Sequence, residues 1–168
     1  MLKEKDEKLK SEIKKITKQN NNFWDFRGKG KRDYVHSLYS YPAMMVPQMI
    51  RSLLKKVVKA QSNIEKILDP FCGSGTVLVE SMLKGKDVIG IDINPLSILI
   101  SKVKTQPLNI DILRKKIVEL HKRINSIEEK NNLEKVTYFY KINKWFKKDV
   151  IHNLEKIKKA IKMEDHIL

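Results

Sequence analysis

The sequence predicts an α/β protein with an open, mostly parallel sheet and flanking helices. Two short strand-like segments, Ile64 to Leu68 and Val88 to Ile91, stand on either side of one helical segment. A glycine loop follows the first and an acid, Asp92, follows the second. The order strand, loop, helix, strand, acid, helix opens a βαβ unit, which belongs to a parallel sheet. All six Gly and all five Pro lie between Gly28 and Pro107, so the loop chemistry is central and the flanks are built of Lys, Glu, Ile, Leu and Asn. With 168 residues the chain is one domain or part of one.

The elements follow in order. Residues 1–19 carry Leu9, Ile13 and Ile16 on one helical face, a thin stripe that predicts weak packing or fraying. Asn20, Asn21 and Asn22 end it. Phe23, Trp24 and Phe26 then form an aromatic anchor, and Gly28 to Arg32 a basic loop. Pro42 and Pro47 constrain the residues before them, so Tyr39 to Pro47 is irregular. Pro47 suits the first turn of a helix, whose face is Met49, Ile50, Leu53, Leu54, Val57 and Val58. After the first strand and the Asp69 to Gly75 loop, Thr76 to Leu83 is a helix that Gly85 ends. Asn94 caps the next helix with Pro95 at its first position, and it runs to Val103. Ile110, Leu113, Ile117, Leu120 and Ile124 mark a further helix. Lys135 to Tyr140 is a third strand or an extended linker. Phe146, Val150, Leu154, Ile157 and Ile161 mark the last helix.

The formal net charge is +15, and Lys supplies most of the excess. That charge attracts phosphates and favours a nucleic-acid partner, while a Lys-rich solvated surface explains it equally simply. An apolar share of 41% with 33% charged residues excludes a chain disordered by composition. No apolar run approaches the ~18 residues of a membrane span. A single cysteine, Cys72, excludes an internal disulfide and fits a reducing compartment. The first ten residues have no apolar stretch after their charges, so the expected location is the cytoplasm. His121, His152 and His166 are scattered and form no metal-ligand cluster.

The chemistry concentrates in Asp69-Pro70-Phe71-Cys72-Gly73-Ser74-Gly75-Thr76. Gly73 and Gly75 let backbone approach a ligand at the C-terminal end of a strand, where open sheets bind ligands. Asp92 lies 17 residues after Gly75, at the tip of the second strand, where an acid can accept hydrogen bonds from ribose hydroxyls. The loop continues as GSGTVL, without the third glycine of a nicotinamide site and without the Gly-Lys-Ser/Thr of a polyphosphate loop. A nucleoside without a polyphosphate fits, and S-adenosylmethionine is one, with its ribose, adenine and zwitterionic tail.

DPFCGSGT, with LVES after it and IGIDINP beyond, closely resembles motifs I and II of the amino-group DNA methyltransferases. Ser40 to Ala43 through Pro47-Gln48 to Leu54 is similar to their motif X, and the likeness covers residues 20–161. The resemblance implies a Rossmann-like class I methyltransferase fold and methyl transfer from S-adenosylmethionine to N4 of cytosine or N6 of adenine, as in restriction-modification systems. It implies that Phe71, Cys72, Gly73, Ser74 and Gly75 cradle the methionine part, beside Pro70 and Thr76 of the same motif. Asp69 orients that end, Asp92 binds the ribose and Ile93 lies beside the adenine. Tyr41 and Pro42, of motif X, line the opposite side. Double-stranded DNA is the implied partner, with Arg27, Lys29, Lys31 and Arg32 as candidates for phosphate contact. No metal is required. Cys72 is expected to pack as a small apolar residue and not to act as a nucleophile.

The family's catalytic Asp- or Ser-Pro-Pro-Tyr, which receives the flipped base, has no counterpart, because the sequence has no Pro-Pro and no Pro after Pro107. The sequence thus divides into an N-terminal helix and basic loop (1–39), a cofactor-binding α/β core (40–135) and a helical segment (136–168), truncated or docking on a missing partner. Three readings stand. The first is one part of a split enzyme, completed by a second polypeptide with the catalytic and target-recognition parts. The second is a truncated inactive remnant. The third is a non-catalytic cofactor-binding accessory protein.

Overall fold

A computed structural model of the chain describes residues 2–20, 22–26, 33–42, 44–60, 64–127 and 141–165. The chain forms two compact units, Met1–Gln106 and Pro107–Leu168.

The first unit holds α1 (Leu2–Gln19), a 3-10 turn (Tyr34–Ser37), α2 (Pro47–Ala60), β1 (Lys66–Asp69), α3 (Thr76–Met82), β2 (Asp87–Gly90) and α4 (Pro95–Thr105). The strands pair in parallel, Lys66 opposite Asp87 and Asp69 opposite Gly90. With α3 crossing between them they form the expected βαβ unit. Backbone bonds from Asp87 N to Glu65 O and from Ile91 N to Asp69 O, both 2.9 Å, bound the ladder. Both strands therefore sit a residue or two from the stretches the apolar pattern marks. Pairing, and not side-chain type, sets their ends.

α3 rests on both strands and packs against α2 and α4. It buries Leu78 and Val79, each contributing about 1.5–3 kcal/mol. Gly90 permits this approach, since a Cβ there would meet Leu78 Cδ1 at 2.6 Å and Cys72 Sγ at 3.0 Å. Leu68 and Ile89, on the opposite sheet face, are 59% and 55% exposed. Among the described residues of this unit the helices thus cover one face of the sheet.

α1 packs against α2. The aromatic anchor follows it closely: Trp24 Nε1 donates to Thr17 Oγ1 at 3.1 Å. Phe23 meets the Trp24 ring edge-on at 4.9 Å, and the Lys56 ammonium stands 5.6 Å from the Phe23 ring. The thin stripe of α1 is thus supplemented by a ring pair that periodicity does not show.

A buried acid ties the N-terminal segment to α3. Glu80 is 1% exposed. It accepts two 2.8 Å bonds from Arg51, Nε to Oε2 and Nη2 to Oε1, and stands 3.2 Å from His36 Nε2. Arg51 also reaches Asp33 Oδ2 at 3.4 Å. Burial alone raises the Glu80 carboxyl, but the Arg51 bonds and charge, with His36, outweigh it and hold the group below its usual range. His36 is pushed down by burial and by the Lys104 charge, against the pull of Glu80. His36, 1% exposed, is a core residue of this network.

The second unit holds α5 (Ile110–Ser126), α6 (Ile142–Trp145) and α7 (Lys148–Asp165). Asn109 caps α5 by accepting from Asp111 N and Ile112 N. α5 packs on α7, and Arg123 Nη1 donates to Ala160 O at 3.3 Å. The expected third strand at 135–140 lies outside the described residues. No helix among the described residues is long and apolar enough to cross a membrane.

Candidate functional site

The site is built where β1 and β2 end side by side. Beyond β1 the chain turns at once, with Cys72 N donating to Ile91 O at 2.9 Å and Gly75 N to Cys72 O at 2.7 Å. The turn needs positive φ at Gly73 (+49°) and Gly75 (+76°), a conformation that L side chains rarely adopt. Gly75 is also crowded. A Cβ there would stand 3.0 Å from Ser101 Oγ and 3.2 Å from Ser101 Cα.

Asp92 clamps this loop to the next helix. Its Oδ2 accepts from Gly73 N and its Oδ1 from Asn94 N, each at 2.8 Å. Those backbone bonds, Asn94 first, hold its carboxyl below the usual range. The Ser97 hydroxyl and the Ile93 backbone add to that stabilisation of the carboxylate. Asn94 in turn caps α4 by accepting from Leu96 N at 3.0 Å. Asp69 Oδ1 accepts from Phe71 N at 3.1 Å.

A shallow pocket of about 80 Å³, open to solvent, lies against the loop. Tyr41, Met44, Met45, Asp69, Phe71, Cys72, Gly73, Ser74, Thr76 and Val77 line it. Tyr41, Met44 and Met45, ahead of α2, thus face the loop across the pocket. Tyr41 is fixed there by its hydroxyl, 2.7 Å from Ser97 Oγ and 3.3 Å from Asn94 Nδ2, which donates to it.

Of the residues expected to hold a cofactor, Tyr41, Asp69, Phe71, Cys72, Gly73, Ser74 and Thr76 meet in this pocket. Pro42, Pro70, Gly75, Asp92 and Ile93 are not in its lining. Asp92 adjoins it through Gly73, while Gly75 lies buried against Ser101. Phe71 is 86% and Ile93 99% exposed, so both side chains stand clear of the protein. Cys72 is buried, with Sγ 3.8 Å from Ser101 Oγ, and burial pushes its thiol up. Cys72 thus packs in the interior beneath the loop. Arg27, Lys29, Lys31 and Arg32 lie outside the described residues. No cluster of three or more metal-ligating side chains occurs among the described residues.

Sequence reasoning missed the inner face of α4. Ser97, Ser101 and Lys104 recur at i, i+4 and i+7 and are all buried. Ser101 Oγ donates to Gly73 O at 2.8 Å and Lys104 Nζ to Ser74 O at 2.7 Å. The outer face carries Leu96, Leu99 and Val103, 44%, 59% and 47% exposed. A scan for apolar periodicity finds the outer stripe. The polar spacing was the signal for the inner one.

The model of the family described as DNA methylase, N6_N4_Mtase, matches residues 1–103. The chain is similar to the Type II methyltransferase M.MvaI of Kocuria varians, 35% identical over 165 residues, which is 95% of this chain and 36% of that protein. It is also similar to the Type II methyltransferase M.MjaII of Methanocaldococcus jannaschii, 37% identical over 92 residues, 55% of this chain and 17% of that one. A shorter likeness, 42% over 57 residues, links it to a tRNA (guanine(10)-N2)-dimethyltransferase of Methanothermobacter thermautotrophicus, covering 33% of this chain and 16% of the relative. The chain therefore spans little more than a third, or less, of these curated relatives. No solved structure matches it.

Proposed function

As the chain belongs to the N6_N4_Mtase family of DNA methylases, we propose that it is the S-adenosylmethionine-binding part of a DNA amino-methyltransferase of the restriction-modification type. The observation that carries this reading is the Asp92 clamp. One acid at the tip of β2 holds the glycine loop beside a pocket and ties it to the start of α4. The donor set fits the cofactor: Gly73 leaves the pocket wall bare of a side chain, Asp92 offers acceptors to ribose hydroxyls, and Met44, Met45 and Phe71 offer apolar surface. When bound, S-adenosylmethionine supplies a methyl group activated by its sulfonium.

The chain's own residues position and shield that group. Asp69 and Asp92 fix the two ends of the loop, and Tyr41 closes the pocket from the motif X side. The residues that would receive the base are not among them. The catalytic tetrapeptide and the target-recognition part lie outside these 168 residues in this reading, on a second polypeptide or elsewhere in the same one. Relatives named as a Type II methyltransferase and as a tRNA (guanine(10)-N2)-dimethyltransferase each match part of this chain, which supports a substrate choice made by those other residues. DNA phosphates are met by Arg27, Lys29, Lys31 and Arg32, and the protein works in the cytoplasm.

Calorimetric titration of the folded chain with S-adenosylhomocysteine tests this. Binding is expected, with a loss of about tenfold or more for Asp92→Ala. No heat of binding from a chain with intact circular dichroism would overturn it.

A further inference from the structure

We infer that Lys104 is a positioning residue for the cofactor's amino-acid tail, acting through the carbonyl of Ser74 from behind the glycine loop. This rests on the cofactor reading above and adds to it a residue that never touches the pocket.

Lys104 is 6% exposed, which is unusual for lysine. No carboxylate lies within ion-pair distance of it among the described residues. Glu80, the buried acid of this unit, is taken up by Arg51 and His36. Burial is the one influence that shifts the Lys104 amine, and it pushes the amine down. Its charge also weighs on His36, which therefore lies near it. A buried, uncompensated ammonium is costly to the fold. Its hydrogen bond goes to the loop, from Nζ to Ser74 O at 2.7 Å.

Ser101, one turn earlier on the same face, makes the matching bond to Gly73 O at 2.8 Å. Two successive carbonyls of the loop are thus held from behind by α4, while Gly73 and Ser74 line the pocket in front. A peptide group is planar, so the bond to Gly73 O fixes the N–H of Ser74, and the bond to Ser74 O fixes the N–H of Gly75, which closes the loop on Cys72 O at 2.7 Å. The ammonium places positive charge beneath the part of the loop assigned to the zwitterionic tail. Asp92, assigned to the ribose, hangs on the other side of Gly73.

The two ends can be read separately with S-adenosylhomocysteine, which carries the tail, and 5′-methylthioadenosine, which lacks it. Wild type is expected to bind both. Lys104→Met is expected to lose about tenfold for the first ligand and less than about twofold for the second, whereas Asp92→Ala weakens both. Ser101→Ala removes the smaller neighbouring bond and is expected to repeat the pattern at about threefold, which keeps the test open if Lys104→Met does not fold. Equal losses for the two ligands, or unchanged binding of both in a folded variant, overturn the positioning role. A wild-type chain that binds neither overturns the cofactor reading itself.

Discussion

α3 and α5 teach opposite lessons about what a helical stripe means. α3 has seven residues and buries five of them, including Thr76, Glu80 and Ser81 beside Leu78 and Val79. α5 has seventeen residues, with Ile110, Leu113 and Ile117 at regular spacing, and buries none. Periodicity marks the face that could pack, whereas burial depends on what lies opposite. α3 has two strands and two helices around it. α5 meets α7, whose own apolar residues Val150, Leu154, Ile157 and Ile161 stay 37–47% exposed. Of the buried polar residues of α3, Glu80 has a clear structural task, held by Arg51 and His36, whereas the Ser81 hydroxyl is buried without a partner.

Substitutions can break this contrast. Glu80→Ala has the largest expected effect, a loss of about 3–5 kcal/mol in urea unfolding, because Arg51 and the buried His36 lose their common acid. A loss below about 1 kcal/mol would place Glu80 among surface groups.

Acid should weaken the same network by a part of that amount. Folded His36 lies below its ordinary 6.5, so from about that pH downward the unfolded chain takes up the proton first and stability falls. Folded Glu80 lies below 4.5, and its contribution is lost as pH falls further through that lower value. Melting temperature should thus decline in two stages on acidification. In a folded His36→Gln variant the decline should begin only in the carboxylate range. A melting temperature level from pH 7 to pH 4 contradicts the His36 shift.

Ile117→Ser on α5 has the smallest expected effect, within about 0.5 kcal/mol, since the side chain is 48% exposed. A loss of about 2 kcal/mol or more in the isolated chain would show that α5 is as well packed as α3.

Much of the first unit was legible. Pro47 and Asn94-Pro95 start helices because a fixed φ and a capping side chain are local properties, and both helices begin where those residues stand. Gly73 and Gly75 announced a loop with positive φ, which the chain adopts. The tighter limits were not legible. Gly90 reads as a weak strand residue, yet it is required by Leu78, twelve residues earlier in sequence. His36 reads as a loop residue because its partner Glu80 is 44 positions away.

By itself the sequence determined the βαβ order, the turn chemistry of the glycine loop and the family that the chain resembles. Each depends on residues within one element or one turn, where backbone sterics act without help from distant chain. Tertiary structure alone decided that Glu80 and His36 are core groups, that α4 turns Ser97, Ser101 and Lys104 inward, and that Asp92 spends one oxygen on the loop itself. Most buried polar groups are met by a partner. Such partners come from elsewhere in the chain, so folding, and not local pattern, chooses them.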